Sequence, residues 1–346
     1  MKEIKCVVWD LDNTIWDGII LEDKNVTIKE GMIDIIKTLD SRGILHSISS
    51  RNDFQTASDK LKELGLWDYF LYPEINWNNK SLSIKNISEN LNIGLDTVMF
   101  IDDQQYERDE VKYSLPEVKC TDAAGYKSLP VLPELNPRFI TEDSVRRRKM
   151  YIEDINRKND EENYTGPKEE FLKSLKMELK LKQAEENDLQ RIEELTLRTH
   201  QLNTTGRTYD YDELKSLLYS GKHILLTAEL NDIYGSYGKI GLVLIEKLSG
   251  EWRIKLFILS CRVMNRGIGT ILLNEIMSTA KNEGVKLTAD FVHTDRNRMM
   301  YITLKFANFI EMENQNGNGM VVLNNDLTVV NHAPEFINLF AEKEWN

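Results

Sequence analysis

The chain has 346 residues, 41% hydrophobic and 29% charged, with 7 prolines and 18 glycines. It is too apolar for a disordered chain and too poor in Gly and Pro for a fibrous one, and its length suits two domains of roughly 150 residues. Acidic side chains outnumber basic ones 56 to 44, for a formal charge of -12, which argues against nucleic acid as a partner because a polyphosphate backbone is held by concentrated Lys and Arg. Cys6, Cys120 and Cys261 are far apart, which suits neither a disulfide framework nor a cysteine zinc site and leads us to expect a reducing, cytoplasmic setting. The N-terminus runs straight into a strand-like segment and no apolar stretch approaches the ~18 residues of a membrane span, so neither a signal peptide nor a membrane partner is expected.

Along the first third, short apolar runs alternate with amphipathic stretches. Cys6-Val7-Val8-Trp9, Ile44 to Ser49 and Thr97 to Ile101 read as buried strands, and Asp53 to Leu66 and Ser83 to Leu91 as helices. Strands alternating with helices predict βαβ units around a parallel sheet, whose sites lie beyond the carboxyl ends of the strands. From Asn136 the composition turns strongly charged, with Arg146-Arg147-Arg148-Lys149 and Asp160-Glu161-Glu162. This reads as a solvated connecting helix, or as a basic face toward a phosphate or an acidic carrier protein. Beyond Pro167, strands are predicted at Met177–Lys182, Ile224–Leu230, Lys239–Ile245 and Arg253–Cys261, and helices at Asp188–Thr199, Tyr211–Tyr219 and Gly267–Glu283. The expected domains are 1–135, a charged helical linker 136–172, a second mixed α/β domain 173–325, and a helical tail 326–346.

Asp10-Leu11-Asp12-Asn13-Thr14 closes the first strand run. Residues two apart in extended chain point the same way, so both carboxylates can enter one pocket, one to attack phosphorus or ligate a metal and the other to exchange a proton. Ser49 and Ser50 close the second run, Lys80 opens a helix, and Asp102-Asp103 close the third. Adjacent carboxylates at a buried strand end repel unless a cation compensates, and a hard Mg²⁺ suits oxygen ligands. An isolated serine here would more often cap a helix, and a lone lysine would be solvated; the order Asp-x-Asp-x-Thr, Ser, Lys, Asp-Asp is what makes the set specific.

That order resembles the haloacid dehalogenase (HAD) superfamily over about residues 1–125. The resemblance implies Asp10 as nucleophile and Asp12 as general acid/base. It implies Ser49 and Lys80 gripping phosphate, with Thr14, Ser50, Arg51 and Asn52 as further substrate contacts. Mg²⁺ would be held by Asp10, Asp102, Asp103 and the Asp12 carbonyl. The stretch from Thr14 to the helix near Gly31 is short and about thirty residues separate Ser49 from Lys80, too few in either gap for a cap domain with its own core. An open site is expected.

In the second half, Arg262-Val263-Met264-Asn265-Arg266-Gly267-Ile268-Gly269-Thr270 sits between a strand and a helix, where glycines let backbone N–H groups approach a pyrophosphate. With Met300-Tyr301 and Phe306-Ala307-Asn308-Phe309 this resembles the GNAT acyltransferase fold. Two departures are Met264 in the turn and Asn308 where a glycine is common. The expected fold class is therefore α/β: a HAD-like Rossmannoid parallel sheet without a large cap, then a GNAT-like mixed α/β domain.

Trp9 to Gly18, Ile75-Asn76-Trp77, Ile101-Asp102-Asp103 with Glu107-Arg108, Arg198 to Gly206 and Ser260-Cys261-Arg262-Val263 together resemble the FkbH-like family over nearly the whole chain. The resemblance implies removal of phosphate from 1,3-bisphosphoglycerate and delivery of its glyceryl group to the phosphopantetheine thiol of an acyl carrier protein in polyketide biosynthesis. Ser49 stands where many relatives carry Cys. Among the three cysteines, Cys6 and Cys120 read as packing residues. Cys261 is expected to carry the acyl group, because a strand end, Arg262 and a helix N-terminus near Gly267 and Gly269 favour a thiolate. His293 is the preferred base, on strand adjacency, over His200; Asn203 and Arg207 are candidate substrate contacts. The alternatives are a Mg²⁺-dependent phosphatase of small phosphate esters with a degenerate GNAT-like domain, and a non-catalytic carrier-protein docking module.

Overall fold

A computed structural model describes residues 3–23, 25–264, 266–312 and 319–345. The chain divides into two compact units, 1–152 and 153–346. In the first, β1 (Cys6–Trp9), β2 (Trp16–Asp17), β3 (Thr27–Ile28), α1 (Met32–Ser41), β4 (Leu45–Ser50), α2 (Phe54–Glu63), β5 (Glu74–Ile75), α3 (Lys80–Leu91), β6 (Val98–Asp102), α4 (Gln105–Ser114) and β7 (Lys119–Asp122) follow in order. The main sheet has the order β5-β4-β1-β6-β7 and every pairing is parallel. Cys6 and Val8 on one face of β1 and Val7 and Trp9 on the other are all fully buried, as expected of a parallel strand covered on both sides. The β2–β3 hairpin and the α2–β5 stretch occupy the two gaps around the site. Their residues Val26, Ala57, Leu61, Phe70 and Ile75 join the same core as Trp9 and Ile101, so among the described residues neither insert is a separately folded cap.

His46 lies in the middle of β4, fully buried; its Nδ1 accepts from Trp9 Nε1 at 3.0 Å and its Nε2 faces the Ile36 carbonyl at 3.1 Å. The neutral ring with its proton on Nε2 satisfies both contacts. Burial pushes its pKa down to about 3, against the opposing pull of the Ile36 carbonyl. The unfolded chain takes up this proton below its ordinary value of 6.5 while the folded one does not, so stability falls as pH drops from 6.5 toward 3. His46→Gln, which does not titrate, is expected to flatten the urea midpoint of the full chain across that window. A slope as steep as that of the wild type would show that other groups govern acid unfolding.

The stretch 136–172 is helical, with α5 (Glu142–Val145), α6 (Arg147–Asn163) and α7 (Lys168–Ser174). It is no separate linker, because the division between the units falls within α6. Within the basic run Arg146 and Lys149 are exposed, whereas Arg147 and Arg148 are turned to the protein. Arg147 is buried and donates to the Gly43 carbonyl at 2.9 Å, while Arg148 pairs with Asp40 at 2.9 Å and lies 4.4 Å over the Tyr69 ring. These guanidinium contacts dock the start of α6 on the first unit.

The second unit continues with β8 (Met177–Gln183), α8 (Leu189–Arg198), α9 (Tyr211–Leu218), β9 (His223–Asp232), β10 (Gly235–Leu248), β11 (Glu251–Leu259), α10 (Ile268–Asn282), β12 (Lys286–Val292), α11 (Arg298–Phe306), β13 (Ile310–Glu311), β14 (Met320–Asn325) and β15 (Ile337–Ala341). They form a mixed sheet of order β13-β14-β12-β11-β10-β9-β8-β15. One face packs Leu226, Phe257, Leu272 and Phe291 into a large core, and the other packs Leu189, Ile192 and Leu214 against Leu242, Leu244 and Leu256. The tail expected to be a helix is instead the edge strand β15, parallel to β8. Its burial alternates residue by residue, and the edge of β8 offers unpaired backbone groups that a strand satisfies and a helix does not. No described helix is long and apolar enough to cross a membrane.

Candidate active site

The site of the first unit is assembled at the carboxyl ends of β1, β4 and β6. Asp10 follows β1, and its N–H donates to the Ile101 carbonyl at 2.9 Å. Lys80, the first residue of α3, is only 3% exposed. Its Nζ lies 2.5 Å from Asp10 Oδ1, 2.6 Å from the Ser49 carbonyl and 3.3 Å from Asp102 Oδ2. Burial alone would pull this lysine down, but Asp10 and Asp102 outweigh it and hold the ammonium above the ordinary lysine range. Asp102 closes β6; one oxygen accepts from the Gln104 N–H at 2.8 Å, and Arg108 holds its carbonyl at 2.7 Å. Burial, then the Asp10 charge, push the Asp102 carboxyl up to about 7, and the same two causes raise Asp103.

These shifts show a cluster short of positive charge. Asp10, Asp102 and Asp103 each bring an oxygen within 4.8 Å of the others. Asp103 Oδ1 is buried without a hydrogen-bond partner, as are the Thr14 and Ser49 hydroxyls and Asn52 Oδ1. Buried polar atoms are nearly always satisfied in folded proteins, so a group of such atoms around three carboxylates suits a hard divalent cation and an oxyanion. Mg²⁺ fits this donor set. The Asp12 side chain stays outside it: Oδ1 accepts from Trp16 Nε1 and the Ile20 N–H, and Oδ2 from Asn52 Nδ2. Asn13, at φ 53°, turns the chain after Asp12.

The sequence-derived set is thus partly gathered here. Lys80 joins Asp10, Ser49 and Asp102, Asp12 pairs with Asn52, Asp103 lies beside Asp10 and Asp102, and Thr14 is on the turn. Ser50 continues β4, where its carbonyl accepts from Asn76 N–H at 3.1 Å. Arg51, expected at the phosphate, has its Nε 3.2 Å from the buried Glu107, so that nitrogen is directed to α4. Sequence reading missed Trp16 and Arg108 as supports; a tryptophan four residues after Asp12 was the available signal.

In the second unit the expected acyl-transfer site is not assembled as predicted. β11 and β12 pair in parallel only from Glu251–Lys286 to Ile254–Ala289. Beyond that they part, and the segment Leu202-Asn203-Thr204 fills the parting. Thr204 N–H donates to the Phe257 carbonyl at 3.1 Å, Leu259 N–H to the Leu202 carbonyl at 2.9 Å, and Val292 N–H to the Thr204 carbonyl at 2.9 Å. Asn203 is fully buried, and its Oδ1 accepts from the N–H groups of Thr205 and Gly206. It therefore holds a turn rather than a substrate. The interposed segment also removes the strand adjacency that favoured His293 as the base of Cys261; the His293 ring packs with those of Phe291 and Tyr301 at 4.9 and 5.0 Å.

Cys261 begins a short 3-10 turn, Cys261–Val263, two residues past β11 rather than ending the strand. Arg262 Nε lies 3.3 Å from Ser260 Oγ. Asn265 of the glycine turn lies outside the described residues. Gly267 has φ +72°, which favours glycine, and a Cβ on Gly269 would come within 2.8 Å of Thr303 and 3.0 Å of Leu259, so close packing explains the second glycine. Arg207 is exposed, 3.4 Å from Glu213, and His200 is half-buried in the bend before Leu202. Asn308 takes the positive φ (63°) that a glycine would.

No protein-family model matches the chain, and no curated protein matches it. Solved structures do. One is the N-terminal part of the protein BF1531 from Bacteroides fragilis, containing a phosphatase domain complexed with Mg, 30% identical, with 41% of this chain and 42% of that chain covered and a TM-score of 0.35. A HAD-superfamily hydrolase from Ehrlichia chaffeensis is 16% identical over 35% of this chain and 87% of that one, with a TM-score of 0.29. Spermidine N-acetyltransferase from Vibrio cholerae, in complex with CoA and spermine, is 16% identical over 42% of this chain and 92% of that one, with a TM-score of 0.32. Each is similar to less than half of the chain.

Proposed function

We propose that the chain is a Mg²⁺-dependent phosphoryl-transfer enzyme of the HAD type. Its complete reaction would remove phosphate from 1,3-bisphosphoglycerate and load the glyceryl unit on the phosphopantetheine thiol of an acyl carrier protein. The observation that carries the phosphoryl-transfer part is the convergence of Asp10, Lys80, Asp102 and Asp103 at the strand ends, with unsatisfied hydroxyls beside them. The glyceryl and carrier-protein part is supported by the FkbH-like motifs.

In this reading Asp10 attacks phosphorus of the 3-phosphate ester, the bond from phosphorus to the ester oxygen breaks and Asp12 supplies the proton that oxygen needs, so the acyl phosphate at carbon 1 is kept for the thiol step. Water then attacks the aspartyl phosphate, giving its proton to Asp12 and freeing phosphate and Asp10. Lys80 and the hydroxyls of Ser49 and Thr14 face the charge that builds on the phosphoryl oxygens. Mg²⁺ would be held by Asp10, Asp102 and Asp103 and would supply further positive charge there.

For the acyl step, Cys6 is fully buried and its thiol is pushed up by that burial, and burial pushes Cys120 up to about 11. Neither is suited to act as a thiolate, and Cys261 keeps the acyl-carrier role: its thiolate attacks the acyl carbon and expels the 1-phosphate, and the carrier thiol then displaces Cys261 to take the glyceryl group. The filled parting between β11 and β12 favours a second reading, in which the chain is a phosphatase and its second unit only docks a carrier protein. Incubation of the full chain with Mg²⁺, 1,3-bisphosphoglycerate and a holo carrier protein, read by intact-protein mass, separates the two. A glyceryl adduct on the carrier that is lost in Cys261→Ala is expected. Phosphate release without acylation, together with binding of the carrier to the chain, would favour the second reading, and no phosphate release would refute both.

A further inference from the structure

Asp12 is held by donors on both of its oxygens. Oδ1 accepts from Trp16 Nε1 at 2.8 Å and from the Ile20 N–H at 3.1 Å, and Oδ2 accepts from Asn52 Nδ2 at 2.9 Å. The two side chains arrive by different routes. The N–H groups of Thr14, Ile15 and Trp16 all fold back on the Leu11 carbonyl, a tight turn that returns the indole to Asp12. Asn52 comes from beyond β4, 40 positions further along the chain. Trp16 is fully buried and Asn52 is 1% exposed, so both donors are fixed by packing.

The chemistry of Asn52 bears on its role. A carboxylate accepts and does not donate, so the amide must turn its NH₂ group to Asp12. What remains is the second N–H of the amide and Oδ1, a buried acceptor without a hydrogen-bond partner among the described residues. A phosphoryl oxygen carries lone pairs and offers Oδ1 nothing, so a grip of Asn52 on phosphate would fall to its second N–H alone.

We infer that Trp16 and Asn52 are positioning residues for Asp12, fixing its carboxyl group at the point where the proton passes to the leaving oxygen. The inference rests on the phosphoryl-transfer reading, in which general acid catalysis contributes about 10²–10⁴-fold where the leaving group needs a proton. A carboxylate has about four lone-pair sites; three donors orient it and leave one site for the proton.

The test uses leaving groups of different basicity, because damage to the fold affects all substrates alike. The full chain with Mg²⁺ is assayed on glycerol 2-phosphate, whose alkoxide needs a proton to leave, and on 4-nitrophenyl phosphate, whose phenolate leaves without one. The readout is kcat/KM, which covers the steps through cleavage of the phosphorus–oxygen bond. Trp16→Phe removes one side-chain N–H while keeping an aromatic ring, and Asn52→Leu removes the other side-chain donor at similar size. Each is expected to lower kcat/KM on glycerol 2-phosphate by about 10- to 100-fold and on 4-nitrophenyl phosphate by no more than about threefold. Equal losses on both substrates, or no loss on either, would overturn the inference; if Trp16→Phe fails to fold by circular dichroism, Asn52→Leu decides. A wild-type chain that releases no phosphate from either probe overturns the phosphoryl-transfer reading and the inference with it, whereas an unchanged substrate ratio in active variants overturns the inference alone.

Discussion

Asp10→Asn is expected to lower phosphate release by roughly 10³-fold or more, as removal of an attacking nucleophile does in other enzymes, while circular dichroism stays that of the wild type. The amide cannot attack phosphorus. It also removes the negative charge from the 2.5 Å partner of Lys80 and from one of the three carboxylate ligands, so Mg²⁺ affinity measured by calorimetry should fall as well. Near-normal phosphate release from a folded Asp10→Asn protein would end the assignment of Asp10 as nucleophile, because no other carboxylate of the trio also stands at the end of the central strand β1.

Lys80→Met is expected to destabilise the chain and to abolish phosphate release. The ammonium pairs with Asp102 Oδ2 at 3.3 Å, and it lies against Asp10 and the Ser49 carbonyl. Removing one partner from a buried ion pair leaves an uncompensated charge and costs about 3–5 kcal/mol. A divalent cation supplies the missing charge, so saturating Mg²⁺ should recover part of the lost urea stability without restoring activity. A Lys80→Met chain whose midpoint matches the wild type in the absence of Mg²⁺ would show that the network contributes no net stability.

Much of the candidate site was legible because its signals are local. A short apolar run ending in Asp10 or in Asp102 places each carboxylate at a strand end, since a buried parallel strand must be apolar and its carboxyl end is where polar groups can gather. Lys80 was legible for a related reason, as the first residue of an amphipathic helix. The contacts that set what these residues do were not local. Asn52 meets Asp12 across 40 positions, Arg148 meets Asp40 across 108, and the Thr204 hydroxyl accepts from Phe257 N–H across 53.

By itself, then, the sequence determined two α/β units, the strand ends that carry the acidic groups, and the chemistry available there, because periodicity and residue type act within a few turns of chain. Only the tertiary structure decided that Asp12 is held by Trp16 and Asn52, that Arg147 and Arg148 dock a helix instead of facing a ligand, and that the tail closes a sheet edge as β15. It also decided the fate of the expected Cys261–His293 pair. Two strands that are neighbours in a sheet stay adjacent only while their backbone groups have no better partner, and past Ile254 and Ala289 the segment Leu202-Asn203-Thr204 supplies that partner to both. Hydrogen bonds of this kind are made by backbone groups that every residue possesses, so side-chain sequence carries no mark of which distant segment will satisfy them.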